Sequence, residues 1–223
     1  MPTAVVFDLD DTLAVTEADR STLLEAAADR ADVTLTFDRE SYLDAHREHS
    51  GTESRLPVFE ALVDARADAP ELTRAYRETI GDALAPVEGA EAVLSALRGR
   101  YRLGLLTDGP GRTQRDKLGR LGWGDAFDAI VVTGPIESPK PDRRAFETVV
   151  DELGVAPADA AYVGDDPDRD ISGAAAAGLA TVQVRYPGGP PPHPDADATI
   201  RRGEFGSLPA VLESLLGDGA DDA

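Results

Sequence analysis

Short apolar runs recur along this chain, each followed within three positions by glycine, proline or aspartate. Residues 4–7, 103–106, 130–132, 161–163 and 181–184 are such runs. They are too short for helices and bounded as buried strands are. Between them lie helical patterns, over about 88–98, 111–121, 141–153, 168–177 and 204–216, with apolar residues returning every third or fourth position most clearly over 141–153. That spacing lays an apolar stripe along one face of a helix. Strand and helix alternating in this way predict an α/β fold, a doubly wound parallel sheet covered by helices on both faces.

One interval breaks the alternation. From about residue 17 to residue 84 the pattern is helical, with punctuation near 33–37, 50–51 and 69–70 and apolar faces at Leu23, Val58-Phe59 and Leu62-Val63. The chain therefore reads as a core of residues 1–14 and 87–216, an all-helical insert of residues 15–86, and an acidic tail, 217–223, expected to be disordered. Residues 187–194 form a proline- and glycine-rich loop.

Composition narrows the chemistry. Cysteine is absent, which removes disulfides, thiolate nucleophiles and cysteine-bound zinc. Three histidines, His46, His49 and His193, leave little for a histidine-based triad. No stretch approaches the ~18 apolar residues of a membrane span, and the N-terminus shows no signal-peptide pattern, so a cytoplasmic protein is expected. There are 42 acids against 22 bases, a net charge of −20. A field of that sign repels nucleic acid and anionic membranes. The excess is spread out: residues 15–86 carry −8 and the remainder −12. Lysine is nearly absent, with only Lys117 and Lys140. A dispersed acidic surface of this kind resembles proteins of salt-accumulating organisms, where molar salt screens self-repulsion over roughly 3 Å.

Four constellations carry chemistry. In Val5-Val6-Phe7-Asp8-Leu9-Asp10-Asp11-Thr12-Leu13 a buried strand runs straight into three acids, at the strand end where parallel sheets hold ligands. In Tyr162-Val163-Gly164-Asp165-Asp166-Pro167-Asp168-Arg169-Asp170 a second strand does the same. Either alone reads equally as a solvated turn, and Asp168 as a helix N-cap. Brought together they offer hard oxygen ligands suited to Mg2+. Leu106-Thr107-Asp108-Gly109-Pro110-Gly111 ends a strand and frees backbone N–H groups at a helix start, a generic anion cradle. Ser138-Pro139-Lys140-Pro141-Asp142 fixes one of the two lysines between prolines, as a charge required at one point would be. Lys117, on an expected helix surface, reads as a rare residue that simply fell there.

These elements, in this order, resemble the haloacid dehalogenase-like superfamily of hydrolases, whose helical cap matches the insert. The resemblance implies Asp8 as nucleophile, forming an aspartyl-phosphate, and Asp10 as general acid and base. It implies Mg2+ held by the Asp8 and Asp165 carboxylates and the Asp10 carbonyl. Thr107, Asp108, Gly109 and Lys140 would bind the phosphoryl group, with Lys140 also offsetting the charge of the nucleophile. Thr12, Asp166 and Asp170 would support the site. Two positions depart from the family pattern: Asp108 stands where asparagine is usual, and Asp11 where glycine is.

The expected activity is hydrolysis of a small organic phosphomonoester, such as phosphoglycolate, glyceraldehyde 3-phosphate or another sugar phosphate, by a monomer or homodimer. The alternatives are metal-independent removal of halide from a 2-haloacid, against which Asp10 argues, and a catalytically silent binding domain, against which the intact acids and Lys140 argue. Substrate choice is expected from the insert, where His46, Arg47, His49 and Arg55 are candidates for reading an anion.

Overall fold

In the first strand, β1 (Ala4–Phe7), every residue is buried, yet its side chains divide between two cores. Alternate residues of a strand face opposite sides of the sheet. Val5 and Phe7 accordingly join one apolar cluster, and Ala4 and Val6 join another. The same alternation runs through β4 (Arg102–Thr107) and β6 (Ala160–Gly164), where Leu105 and Val163 fall on the first side and Leu106 and Tyr162 on the second. β1 pairs on both sides, with β4 and with β6, and this places it inside the sheet. The computed structural model describes residues 3–49 and 53–217.

The sheet has the order β5-β4-β1-β6-β7-β8, with β5 (Ala129–Val132), β7 (Ala180–Arg185) and β8 (Ala198–Arg201) completing it. All five pairings are parallel. The register sets Phe7 opposite both Leu105 and Val163. The residues after β1, β4 and β6 therefore leave the sheet side by side. The chain also reverses its direction of winding at β1, the kind of crevice where open α/β sheets bind ligands.

One face of the sheet is covered by α5 (Ala90–Leu97) and α10 (Leu208–Gly217), with Val93, Leu97, Leu208 and Leu212 packed inward. The other is covered by α8 (Arg143–Leu153) and α9 (Gly173–Ala177), through Phe146, Val149, Val150, Leu153 and Ala174. Two further helices, α6 (Gly111–Leu121) and the single turn α7 (Thr133–Ile136), follow β4 and β5. Helices therefore lie on both faces, as the alternation predicts.

The insert holds α1 (Arg20–Ala31), α2 (Arg39–Glu48), α3 (Leu56–Leu62) and α4 (Ala69–Asp82). Asp19 and Asp38 cap the first two, each accepting a bond of 2.9 Å from a first-turn N–H. Leu23, Leu24, Tyr42, Phe59, Leu72, Tyr76 and Ile80 form an apolar cluster of the insert's own. Fully burying each large apolar side chain contributes about 1.5–3 kcal/mol. Ion pairs from α4 reach α6: Asp82 to Arg120 at 2.7 Å, and Arg77 to Asp116.

Three features differ from the sequence expectation. The stretch 15–86 is not wholly helical: β2 (Ala14–Thr16) and β3 (Leu84–Pro86) pair antiparallel at its entry and exit. Each has three residues and is too short to show alternation. β8 was also unread, because Ala198-Thr199-Ile200-Arg201 buries only Ile200 fully, as suits an edge strand. Gly217 ends α10 instead of opening a tail, and residues 218–223, like Ser50-Gly51, lie outside the described residues.

Candidate active site

Three strand ends converge here. Asp8 follows β1, Thr107 ends β4 and Asp165 follows β6. The Asp8 N–H donates to the Val163 carbonyl at 2.9 Å, which carries the sheet register one residue past β1. Asp8 and Asp10 both line a cavity of about 310 Å3, as do Thr107, Asp108, Gly109, Lys140 and Asp165. Asp166 and Asp170 reach it too, and so do Arg20, His46, Arg55 and Arg169.

Lys140 is the electrostatic centre. Its ammonium is buried and donates to Asp8 Oδ1 at 2.7 Å, to Asp170 Oδ1 at 2.6 Å and to the Tyr162 hydroxyl at 3.0 Å. Asp8 Oδ2 has no hydrogen-bond partner among the described residues. Asp170 Oδ2 accepts the N–H groups of Asp165 and Asp166, at 3.1 and 3.0 Å. That loop requires Gly164, because a Cβ there would lie 2.5 Å from the Asp170 carboxyl carbon.

One ammonium does not balance this cluster. Asp8, Asp165 and Asp170 can each place an oxygen within 4.8 Å of the others. Burial pushes the Asp8 carboxyl well above the ordinary range; Lys140 opposes this and Asp170 adds to it. Burial, with Asp170 and Asp11 nearby, pushes Asp165 up to about 7. Carboxylates held this close, in an all-oxygen donor set, suit a hard divalent cation such as Mg2+. Asp170 is already engaged through both oxygens, so Asp8 and Asp165 are the carboxylates of this cluster that could hold one. Thr12 donates to Asp165 Oδ1 at 3.4 Å.

Asp10 is arranged differently from Asp8. Its carboxylate accepts from Lys117 Nζ at 2.5 and 2.7 Å and from Gln114 Nε2 at 2.9 Å. Gln114 Nε2 also lies 2.6 Å from Thr107 Oγ1. Burial would raise Asp10, but Lys117, Gln114 and Arg55 outweigh it and hold the group below the ordinary range. The Lys117 expectation is thus overturned: it is buried and paired with a site acid, not a surface residue. The reason is helical spacing. Gln114 and Lys117 lie three apart on α6 and share the face turned toward the strand ends.

The two departures from the family pattern have local explanations. Asp108 is paired: its Oδ1 accepts from Thr133 Oγ1 at 2.6 Å and from the Lys140 N–H at 3.1 Å, and its Oδ2 pairs with Arg169. Asp11 has φ of 62°, the left-handed region that favours glycine and that aspartate tolerates better than most residues. Asp166, not Asp168, caps the π-helical turn Pro167–Ser172, accepting from the N–H groups of Asp168 and Arg169 at 3.0 and 2.9 Å.

The four insert candidates separate. His46 and Arg55 line the cavity. Arg47 is exposed and paired with Asp44, and His49 is the C-terminal cap of α2; neither lines it. Arg20, Gln114, Tyr162 and Arg169 were missed in the sequence. Of these only Gln114 left a readable signal, being one helical turn from a rare lysine.

The chain as a whole is similar to known proteins. The model of the family described as haloacid dehalogenase-like hydrolase matches residues 5–184. The chain is 33% identical to N-acylneuraminate-9-phosphatase of Rattus norvegicus, over 95% of this chain and 94% of that protein. It is 33% identical to glyceraldehyde 3-phosphate phosphatase of Methanopyrus kandleri, over 82% and 83%. A crystal structure of a HAD phosphatase from Thermococcus onnurineus superposes with a TM-score of 0.71 at 26% identity, covering 94% of this chain and 97% of that one.

Proposed function

The chain belongs to the haloacid dehalogenase-like hydrolases, and we propose that within this family it is a magnesium-dependent phosphatase of small organic phosphomonoesters, working through an acyl phosphate on Asp8. It is a phosphoric monoester hydrolase on the strength of relatives named as phosphatases. The observation that carries the finer reading is the setting of Asp8. One oxygen is held by Lys140, the other is unbonded among the described residues, and Asp165 stands close enough to share a cation.

In this reading Asp8 Oδ2 attacks phosphorus and the bond to the leaving oxygen breaks. Asp10 gives that oxygen its proton. In the second half Asp10 takes a proton from water as the water attacks phosphorus, and Asp8 is released as a carboxylate. Lys117 favours ionised Asp10, the form needed for the second half. The negative charge of an arriving phosphate raises Asp10 again for the first. Thr107 and Lys140 face the phosphoryl oxygens, and Lys140 keeps Asp8 and phosphate from repelling each other. Bound at Asp8 and Asp165, Mg2+ would neutralise phosphoryl charge. The acidic surface is read as an adaptation to high salt.

Hydrolysis of nitrophenyl phosphate tests this. Activity is expected with Mg2+ and not after chelation, and Asp8→Asn is expected to remove it. Undiminished activity in chelator overturns the metal mechanism and returns the haloacid reaction to consideration; undiminished activity in Asp8→Asn overturns the assignment of the nucleophile.

A further inference from the structure

Most ion pairs in this acidic protein join arginine to a carboxylate. Two of the arginines that make no such pair stand over the cavity. Arg20 Nη1 donates to the Tyr76 hydroxyl at 3.0 Å, and its guanidinium stands 6.0 Å from the Tyr42 ring centre. Arg55 Nη1 donates to Thr113 Oγ1 at 3.1 Å, and its guanidinium stands 5.7 Å from the Tyr76 ring centre. Arg55 is only 8% exposed, and its Nε is buried with no partner. Among the described residues, neither arginine has a carboxylate within ion-pairing distance. A buried guanidinium with no directly bonded counter-ion is costly; Asp10, across the cavity, acts on both arginines only at longer range.

The place of these charges says what they meet. Asp8, Thr107 and Lys140 take the phosphoryl group at the sheet end of the cavity. Arg20 and Arg55 come from the insert and line the same cavity, so they face the part of the substrate that leaves. Aromatic rings and a hydroxyl hold both guanidiniums, leaving other N–H groups to point at a ligand. His46 adds no charge at neutral pH: burial, with Arg55, Arg20 and Arg169 around it, pushes its imidazole down to about 4. A guanidinium matches the planar, two-oxygen shape of a carboxylate. A second phosphate would bring two charges into a cavity that Asp10 and Asp11 also line, whereas a carboxylate brings one.

We propose that Arg20 and Arg55 form a second anion subsite for a carboxylate on the leaving group, so that the preferred substrates are phosphomonoesters of hydroxycarboxylic acids. This rests on the phosphatase reading and specifies its substrate class.

The test compares esters matched except for charge: 2-phosphoglycolate against ethyl phosphate, and 3-phosphoglycerate against glycerol 3-phosphate, with propane-1,3-diol bisphosphate as the second-phosphate arm. A hydrogen-bonded charge pair is worth roughly tenfold to a hundredfold, so kcat/KM is expected to favour each carboxylated ester by about that factor. Arg55→Met and Arg20→Met, which keep most of the apolar stem, are expected to bring the ratio most of the way to one. Equal rates within each pair, a ratio that both substitutions leave intact, or preference for the bisphosphate overturns the subsite. Calorimetric titration of Asp8→Asn with 2-phosphoglycolate and ethyl phosphate reads it without turnover, and the same preference is expected in Kd. Should no ester be hydrolysed, the phosphatase reading fails, while the titration still decides the subsite.

Discussion

Asp165→Asn should make the metal-free protein more stable and the metal-bound protein less so, and the size of the first effect follows from the site. A carboxyl displaced from 3.8 to about 7 carries a penalty of about 4 kcal/mol once ionised. Asp165 is partly exposed, so solvent screening cuts this to roughly 2–3 kcal/mol. The sign follows from which state holds the proton. The folded pKa lies above the unfolded one, so the folded state binds the extra proton and stability falls as pH rises. The penalty is absent below about pH 4, grows toward pH 7 and is complete above it. Asparagine removes it. In chelator at pH 8 the variant should melt about 4–12 °C above the parent, at 2–4 °C per kcal/mol for a domain of this size, and the gap should close toward pH 4. Mg2+ reverses the order. At about a hundred times its Kd a ligand adds ~2.7 kcal/mol to the state that binds it, and the variant lacks one of the two free carboxylates that would bind. The assay is thermal unfolding at constant ionic strength, with chelator or Mg2+, at pH 4.5 and 8. A variant less stable than the parent in chelator at pH 8, or one that Mg2+ protects equally, would refute the assignment of this cluster to a cation.

Asp10→Asn should slow alkyl phosphate hydrolysis by roughly 10²–10⁴-fold and nitrophenyl phosphate less, because nitrophenolate needs little protonation; equal losses on both substrates would remove Asp10 from the acid role. Lys117→Met leaves Asp10 with Gln114 alone, so a smaller loss of kcat, about tenfold, is expected with the same leaving-group dependence; a loss of stability with no change in kcat would make Lys117 purely structural. Melting temperature should rise with KCl well beyond physiological strength, because a −20 chain repels itself; a flat profile from low to molar salt ends the halophilic reading.

The sequence by itself determined the layering. Whether a residue faces one core or the other follows from a two-residue period in Val5, Val6 and Phe7, and the covering helices follow from a three-to-four-residue one. Both are local, so the main alternation of strands and helices and the largely helical insert were legible, though β2, β3 and β8 were not; Asp8, Asp165 and Lys140 stood out because their unusual surroundings are also local. Partnership across the sheet was not. Nothing near Lys117 in the chain signals Asp10, 107 residues away, and nothing near Asp108 signals that Arg169 would neutralise it. Arg20 reads as an ordinary surface base and Arg55 as one of four anion-reading candidates; only the folded insert shows that both stand over the strand ends with no directly bonded carboxylate. Hydrophobic periodicity reports burial one residue at a time. Charge balance belongs to groups that meet only after folding, and it was decided by the tertiary structure alone.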